Sequence, residues 1–305
     1  MTNQNNKKDF KFESGHRACA GCPISIIFNG VLDSTDEEVI VSNATGCAEV
    51  VSSIYPYSSW NVPWIHNTFE NAAATISGVE AAYKSLKSQG KLDKDFKFIA
   101  FGGDGGTYDI GLQSLSGALE RGHDFVYVCY DNEAYMNTGN QRSSATPFGS
   151  ETTTSPFGES HPAKEQKRKD LAKIAEAHNI DYVAQASVFH LDDLKKKAKK
   201  AIDVDGPAVL VVLSPCPTMW KFPPKETLNV SKMAVETRFW PIYEIENGKL
   251  TINYKPKKKV PVTEFMKLQG RFRHSVNNEE VVKKIQDSIE KDWEKLLKRE
   301  KSDNS

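Results

Sequence analysis

The chain has 305 residues and carries 40 basic and 40 acidic side chains, so its formal net charge is zero. A chain with balanced charge has no electric field that would favour nucleic acid or an anionic membrane surface as a partner. Its longest aliphatic run, at 208–213, is far shorter than the ~20 apolar residues of a membrane-spanning helix. No apolar stretch follows the two lysines near the N-terminus, so we expect no signal peptide and a cytoplasmic location.

Hydrophobic periodicity predicts strands and helices that alternate along most of the chain. The predicted strands lie at 39–42, 96–104, 125–132, 182–186 and 208–214, and the predicted helices at 69–87, 109–121, 170–178, 191–203 and 281–296. The strand, helix and strand at 96–132 together have the size of a βαβ unit, which requires parallel strands. We therefore expect an α/β fold with a doubly wound, mostly parallel sheet and a C-terminal extension.

The chain divides into four predicted segments. Residues 1–12 are polar and are expected to form a flexible N-terminus, and residues 13–216 would form the main α/β domain. Residues 217–297 carry prolines and aromatic side chains in short pieces, which favours an extension that packs on the domain and on a partner subunit. Residues 298–305 are expected to be a flexible tail. Within the main domain, the loop at 136–169 is rich in Ser, Thr, Gly and Pro, and a loop of that length is either functional or disordered.

A glycine motif and an asparagine follow two neighbouring strands of the predicted βαβ unit. Gly103, Asp104 and Gly105 come at the end of the first strand, and Asn132 ends the second. Because parallel neighbours present such residues at the same carboxyl edge, where α/β folds bind ligands, we expect them to lie close together. Carboxylate and amide oxygens suit Mg²⁺, and glycines let backbone N–H groups approach a diphosphate. The motif is typical of thiamine diphosphate (TPP) enzymes, and a glycine turn with a helix-capping Asp104 is the alternative.

The loop after Asn132 offers further groups to the same site. Ala134 is placed to give a backbone carbonyl to a metal ion, as metal-binding loops often do. Asn137 and Thr138 carry short polar side chains within a few residues of that point. The alternative is a loop in which Asn and Thr make only local backbone hydrogen bonds.

The five cysteines are a sparse, odd-numbered set, which does not indicate a disulfide framework. Cys19 and Cys22 form a CxxC motif, which occurs in thioredoxin-like, zinc and iron–sulfur sites, but Cys19 follows a charged segment rather than a strand. Cys47 and Cys216 each follow a predicted core strand, so thiolates from three segments would meet near the cofactor edge. We interpret them as ligands of a buried cluster, with structural zinc as the alternative. Cys129 lies inside a strand and is interpreted as a core residue.

Seven segments together resemble the beta subunits of pyruvate:ferredoxin oxidoreductase (pyruvate synthase), within the 2-oxoacid:ferredoxin oxidoreductases. They span nearly the whole chain and lie at 15–22, 43–57, 64–84, 101–111, 131–158, 214–217 and 268–274. The sequence departs from this resemblance at Pro23, where many relatives have Gly, and at Asn140, where many have a second Gly. Both departures could alter loop geometry, but neither removes a ligand.

The resemblance implies a complete set of site residues. It implies a [4Fe–4S] cluster on Cys19, Cys22, Cys47 and Cys216, and Mg²⁺ on Asp104, Asn132 and the Ala134 carbonyl. It implies that Asn137 acts as a catalytic residue that faces the thiazolium and the substrate. The residues expected to bind TPP are Gly46, Cys47, Gly103, Asp104, Gly105, Asn132, Ala134, Asn137, Thr138 and Gly139.

The resemblance also implies that this chain works inside a complex. Partner subunits of alpha, gamma and delta type would supply the glutamate that activates TPP, the coenzyme A-handling parts and the ferredoxin-like clusters. The reaction implied is oxidation of pyruvate with coenzyme A to acetyl-CoA, CO₂ and reduced ferredoxin, or its reverse. The alternatives are a branched-chain 2-oxoacid, 2-oxoglutarate or oxalate as substrate, or a non-catalytic iron–sulfur or zinc subunit with a structural or electron-transfer role.

Overall fold

The computed structural model describes residues 10–158 and 161–305, so most of the predicted N-terminal segment lies outside the described residues. In the described part of the chain, eight strands form one sheet and a short hairpin lies apart from it. The strands of the sheet are β1 (Val39–Asn43), β2 (Trp64–His66), β3 (Lys97–Gly103), β4 (Val126–Asp131), β7 (Tyr182–Ser187), β8 (Ala208–Leu213), β9 (Ile242–Glu246) and β10 (Lys249–Tyr254). The hairpin consists of β5 (Phe157–Gly158) and β6 (His161–Pro162).

Helices cover both faces of the sheet. They are α1 (Ile24–Leu32), α2 (Cys47–Ser52), α3 (Ala72–Ser88), α4 (Leu112–Glu120), α5 (Leu171–Glu176), α6 (Leu191–Asp203), α7 (Pro217–Trp220), α8 (Thr227–Glu236), α9 (Val262–Met266) and α10 (Glu279–Asp303). A π-helix at Gly105–Ile110 precedes α4. Among the described residues, no helix combines the length and the apolar character that crossing a bilayer requires.

The centre of the sheet is parallel, as predicted. The strands lie in the order β10-β9-β7-β8-β4-β3-β1-β2, and every pairing from β7 to β2 is parallel. β4 lies between β3 and β8, and all its residues are buried. Since parallel neighbours need crossover connections, helices are distributed over both faces of the sheet. The predicted α/β, doubly wound architecture is confirmed.

Each face of the sheet has its own hydrophobic layer. Side chains of β4 alternate between the layers, so that Val128 packs on the face covered by α1 and α6, while Tyr127 and Cys129 pack on the other face. The second face carries α3, α4, α5, α8 and α10. Cys129 is completely buried there, which confirms its interpretation as a core residue.

The C-terminal extension takes a larger part in the fold than we predicted. β9 pairs antiparallel with both β7 and β10, so the extension continues the main sheet. Trp220, Trp240 and Phe265, three aromatic side chains of the extension, are at most 1% exposed. They pack in the same hydrophobic layer as α5 and α10, so these three side chains belong to the core of this chain.

Both chain ends contain more regular structure than predicted. Phe12, inside the segment expected to be flexible, is buried against Trp60 with 4.9 Å between ring centroids. α10 continues to Asp303, so the helix includes most of the predicted tail at 298–305. The Asp303 carboxylate accepts a hydrogen bond of 3.0 Å from the Leu250 N–H, which fixes this end of α10 on β10.

Further elements of the main domain differ from the sequence-based prediction. α1, α2 and β2 were not predicted, and the helix predicted from residue 69 begins at Ala72. The helix predicted at 109–121 is divided into the π-helix and α4. Apart from the β5–β6 hairpin, the described part of the loop at 136–169 contains no helix or strand.

Candidate functional site

Four parallel strands end at one edge of the sheet, and a predicted site residue follows each of them. In the register of the sheet, Gly103 of β3 lies beside Tyr130 of β4, and Asp131 of β4 lies beside Leu213 of β8. β1 ends beside β3, with Asn43 opposite Phe101. The residues that follow these ends are Cys47 after β1, Asp104 after β3, Asn132 after β4 and Cys216 after β8. The topology therefore brings both predicted motifs to the same edge.

Three polar groups converge at this edge. One terminal atom of the Asn132 amide lies 2.8 Å from Asp104 Oδ1 and 2.7 Å from the Ala134 carbonyl oxygen. With its NH₂ group at that position, the amide donates to both oxygens; with its oxygen there, three acceptor oxygens face one another and a cation would have to lie between them. Carboxylate, amide and carbonyl oxygens are ligands that suit a small divalent cation such as Mg²⁺.

The charge of Asp104 is not balanced by a basic partner. The carboxylate is buried, and Ser143 Oγ donates a hydrogen bond to its Oδ2. Among the described residues, no basic side chain forms an ion pair with Asp104. Burial raises the pKa of this carboxyl well above its usual range, and the nearby charge of Asp131 raises it further. A positive charge bound beside Asp104 would oppose both effects and lower the pKa of its carboxyl.

Gly105 and Gly106, which follow Asp104, pack so closely on neighbouring residues that neither position has room for a side chain. A Cβ atom at Gly105 would lie 2.4 Å from Tyr135 Cε1, and one at Gly106 would lie 2.9 Å from the Phe69 carbonyl oxygen. The backbone here forms the π-helix, an element that occurs frequently at functional sites. Close packing and the absence of side chains let backbone N–H groups reach a ligand at this point.

A cavity of about 170 Å³ lies over these groups and contains most of the predicted cofactor residues. Its walls also include the aromatic and apolar side chains of Phe69, Tyr130, Tyr135 and Met136. Gly139 is not among its lining residues. The predicted residues that line it are Gly46, Cys47, Gly103, Asp104, Gly105, Asn132, Ala134, Asn137 and Thr138.

Asn137 and Thr138 are exposed at the cavity. Thr138 Oγ1 forms a hydrogen bond of 2.5 Å with Gln141 Oε1, so the local bonding that we kept as an alternative exists for this residue. Asn140 has φ of 67°, in the left-handed region that Gly and Asn adopt most readily. An asparagine at position 140 is therefore compatible with this turn.

Cys19, Cys22, Cys47 and Cys216 lie in one region beside the cavity. The pKa of Cys22 is raised to about 11 and that of Cys47 to about 12, chiefly by burial and in part by the neighbouring cysteines of the set. Burial also raises the pKa of Cys216. The thiols of Cys22, Cys47 and Cys216 are therefore protonated unless a metal centre binds them. No three His, Cys, Asp or Glu side chains of the described residues are arranged around a single metal ion.

Exposed apolar side chains follow Cys47 along the chain. Tyr55 is 95% exposed and Tyr57 is 76% exposed, and Val50 of α2 is 44% exposed. The two tyrosines flank Pro56 in the segment between α2 and β2. Single exposed apolar residues are ordinary, but three within eight positions beside a cofactor edge indicate a contact surface.

Sequence reasoning missed the charged groups beneath the site. Asp131 and Glu133 are fully buried, and they pair with Arg168 and Arg271 from distant parts of the chain. Ser143, which bonds Asp104, was likewise not predicted. The only signal available was the polar composition of the long loop at 136–169, which supplies Ser143 and Arg168.

A larger cavity, of about 610 Å³, lies between α5 and α10. None of the predicted site residues lines it. Most of its basic residues are paired within the protein, as Lys167 is with Asp292 and Lys173 is with Asp170. It is therefore separate from the cofactor edge.

The comparisons with known proteins agree with this geometry. Residues 44–212 match the family model described as "Thiamine pyrophosphate enzyme, C-terminal TPP binding domain". Pyruvate synthase subunit PorB of Thermotoga maritima is 52% identical over 299 residues, which cover 95% of this chain and 92% of the relative. The chain belongs to the PorB family of 2-oxoacid:ferredoxin oxidoreductase subunits. PorB of Methanocaldococcus jannaschii is 51% identical over 92% of this chain and 94% of its own length.

Relatives of the PorB family with other substrates in their names are also similar to this chain. Ketoisovalerate oxidoreductase subunit VorB of Pyrococcus abyssi is 43% identical over 94% of this chain and 92% of its own length. The solved structure of 2-oxoglutarate:ferredoxin oxidoreductase from Magnetococcus marinus, with 2-oxoglutarate, coenzyme A and succinyl-CoA bound, matches with a TM-score of 0.59 and 25% identity. That match covers 70% of this chain and 68% of the other.

Proposed function

We propose that this chain is the beta subunit of a pyruvate synthase that oxidises pyruvate with coenzyme A to acetyl-CoA, CO₂ and reduced ferredoxin, or runs the reverse reaction. The observation that carries the proposal is the convergence of the Asp104 carboxylate, the Asn132 side-chain amide and the Ala134 carbonyl at a glycine-lined cavity. The printed names of the PorB relatives favour pyruvate as the substrate.

Asp104, Asn132 and the Ala134 carbonyl would hold Mg²⁺, which in turn would bind the diphosphate of TPP. Asp104 is the anionic ligand, and its buried, unpaired charge supports this role. The backbone at Gly103 and Gly105 would approach the phosphate oxygens, since neither residue carries a side chain to block them. Gly46 and Cys47, on the opposite wall, would contact the rest of the cofactor.

TPP, when bound, would supply the nucleophilic carbon and the electron sink that decarboxylation of a 2-oxoacid needs. The protein would orient the reacting groups and exclude water. Phe69, Tyr130 and Met136 line the cavity with apolar surface, which favours the exclusion of water from it. Asn137, exposed at the cavity, is the side chain that we assign to contact with the substrate. Gly139, with φ of 115°, would shape the turn that presents Asn137.

Cys19, Cys22, Cys47 and Cys216 would bind one [4Fe–4S] cluster, which would carry electrons away one at a time. Cys47 supports this assignment best, because it lines the cofactor cavity and its thiol interacts electrostatically with the other three. A cluster held there would lie directly beside the cofactor, as electron transfer from substrate requires.

Partner subunits would complete the site. A cavity of about 170 Å³ is smaller than the roughly 300–1,000 Å³ of typical cofactor and substrate sites. The exposed Tyr55, Tyr57 and Val50 are the part of this chain that we assign to covering contacts at the cofactor edge. The partner would bring the glutamate that activates TPP, and further subunits would handle coenzyme A and pass electrons to ferredoxin.

A branched-chain 2-oxoacid is the second candidate substrate. The observation that favours it is the 43% identity to a ketoisovalerate oxidoreductase subunit over nearly the full length of both chains. That identity is lower than the identity to either PorB relative described above.

The decisive assay is reduction of a viologen dye by the purified complex, dependent on both a 2-oxoacid and coenzyme A. We expect pyruvate to give the highest kcat/KM among pyruvate, 2-ketoisovalerate and 2-oxoglutarate. A higher kcat/KM for 2-ketoisovalerate than for pyruvate would identify a branched-chain 2-oxoacid as the substrate. A complex that reduces the dye with none of the three would contradict the proposed function.

A further inference from the structure

Glu133 has a strained and fully buried conformation that the proposed function leaves unexplained. It lies between Asn132 and Ala134, two of the proposed cation ligands, and has no exposed surface. Its φ is 66°, in the left-handed region that residues with a side chain seldom adopt. Such a conformation persists only where the surrounding contacts fix it, and it occurs often at functional sites.

Two arginines fix the Glu133 carboxylate. Arg168 Nη1 lies 2.5 Å from Glu133 Oε1, and its Nη2 lies 2.5 Å from Asp131 Oδ2. Arg271 Nη2 lies 2.7 Å from Glu133 Oε2, and its guanidinium lies 3.5 Å from the centre of the Trp220 ring. We call Glu133, Arg168 and Arg271 the arginine clamp. One arginine comes from the long loop and the other from the C-terminal extension.

The backbone of the turn is fixed as well. The Asn132 carbonyl accepts a hydrogen bond of 2.8 Å from Trp220 Nε1, and the Glu133 carbonyl accepts one of 2.6 Å from Thr146 Oγ1. The next carbonyl, that of Ala134, instead lies 2.7 Å from the side-chain amide of Asn132, at the proposed cation site. Two carbonyls of the turn therefore accept hydrogen bonds from other parts of the protein, and the third lies at the proposed cation site.

The charges beneath the site balance before any cation binds. Arg168 and Arg271 offset the charges of Asp131 and Glu133, and all four side chains are in contact through the pairs described above. Of the three buried carboxylates at this edge, those of Asp104, Asp131 and Glu133, only that of Asp104 has no ion pair with a described basic side chain. The arginine clamp thus confines the unbalanced negative charge to one side chain.

We propose that Glu133 is a positioning residue for the cation site. The arginine clamp fixes the left-handed turn and so aims the Asn132 amide and the Ala134 carbonyl at the point that Asp104 faces. The inference rests on the proposed function, in which these three groups hold Mg²⁺. Glu133 does not touch the cation, because both of its carboxylate oxygens face arginines.

The test measures binding of Mn²⁺, as a paramagnetic substitute for Mg²⁺, to the assembled complex with TPP present. Glu133→Gln removes the charge that the arginines hold. Thr146→Val leaves the arginine clamp intact and removes the hydrogen bond to the Glu133 carbonyl, together with the bond of 3.0 Å that Thr146 Oγ1 accepts from the Ser143 N–H. Because groups that orient metal ligands typically contribute about 10–100-fold to metal affinity, we expect Glu133→Gln to raise the Mn²⁺ dissociation constant at least about tenfold. Thr146→Val should raise it by less.

Glu80→Gln is the matched control. Glu80 is also a buried glutamate, and it pairs with His123 at the opposite edge of the sheet, far from the site. A purely structural role for Glu133 predicts that Glu133→Gln and Glu80→Gln lower the melting temperature alike and leave the Mn²⁺ dissociation constant unchanged. That result would overturn the inference.

A further variant separates the inference from the proposed function. Asp104→Asn should abolish Mn²⁺ binding, and unchanged binding in that variant would contradict the proposed cation site itself. If Asp104→Asn loses Mn²⁺ while Glu133→Gln and Thr146→Val bind it as the wild type does, only the positioning role fails. If the complex that carries Glu133→Gln does not assemble, the test is the Mn²⁺ dissociation constant of the complex that carries Thr146→Val. A value equal to that of the wild type overturns the inference.

Discussion

The indole N–H of Trp220 donates a hydrogen bond of 2.8 Å to the carbonyl oxygen of Asn132. It connects the C-terminal extension to the end of β4, 88 residues earlier in the sequence. Trp220 is buried and lies four residues after Cys216, so one short helix joins the predicted cluster ligand to the predicted cation ligand. The extension therefore supports both parts of the proposed site.

Trp220→Phe should weaken cofactor binding as well as stability. The substitution keeps an aromatic ring and removes the hydrogen bond to Asn132, a loss of about 1 kcal/mol for a typical buried bond. Trp240→Phe is a matched control, because Trp240 Nε1 donates a bond of equal length, 2.8 Å, to the Ala186 carbonyl rather than to a proposed cation ligand, and a phenyl ring keeps the aromatic contact with Arg168. We expect both variants to lower the melting temperature of the complex, and only Trp220→Phe to raise the dissociation constant of TPP in the presence of Mg²⁺. The same TPP dissociation constant in the two variants would contradict the proposed link between Trp220 and cofactor binding.

The cysteine assignment predicts a difference between two serine variants. The complex purified without oxygen should show a broad visible absorbance that dithionite bleaches, and its iron content should include a four-iron cluster on this chain. Cys216→Ser should lose or destabilise that cluster, since it removes one of the four proposed thiolates. Cys129→Ser should retain it, because Cys129 lies in the hydrophobic layer on the α5 face. Zinc in place of iron on this chain would favour the structural-zinc alternative.

The buried Lys197 predicts that stability depends on pH. Burial lowers the pKa of Lys197 to about 8, although its Nζ lies 2.8 Å from Asp193 Oδ2. Because the unfolded chain binds this proton more tightly than the folded one, the contribution of Lys197 to the free energy of unfolding rises with pH above 8. Relative to Lys197→Met, the wild type should gain roughly 1–2 kcal/mol between pH 8 and pH 9.5. The measurement is the urea midpoint of both proteins at the two pH values, and a constant difference between them would refute the prediction.

The cofactor edge could be predicted from the sequence because its signals are local. β3 and β4 are short buried runs, and Asp104 and Asn132 follow them directly, so strand ends alone place these residues together. The same reasoning predicted Cys47 and Cys216. The arginine clamp could not be predicted, because Arg168 and Arg271 lie 35 and 138 positions after Glu133 and only tertiary packing brings them to it.

The β9–β10 hairpin was missed although its signal was present. Asn247 and Gly248 join the two strands, with φ of 51° and 76°, and Asn-Gly is the preferred pair for a tight hairpin turn. The segment was interpreted through its prolines and aromatic residues, which favour irregular structure. The segment instead folds into regular structure, because Trp240 and Phe265 are buried in a hydrophobic layer to which the hairpin and α10 contribute.

The central claim is that Asp104 binds the Mg²⁺ that holds TPP, and the most direct test is a titration of the assembled complex with TPP at fixed Mg²⁺ concentrations. In the wild type, the dissociation constant of TPP should fall as Mg²⁺ is added. Asp104→Asn keeps the shape of the side chain and removes its charge, so its TPP affinity should be at least about tenfold weaker and independent of Mg²⁺. The same Mg²⁺-dependent affinity in Asp104→Asn as in the wild type would contradict the claim.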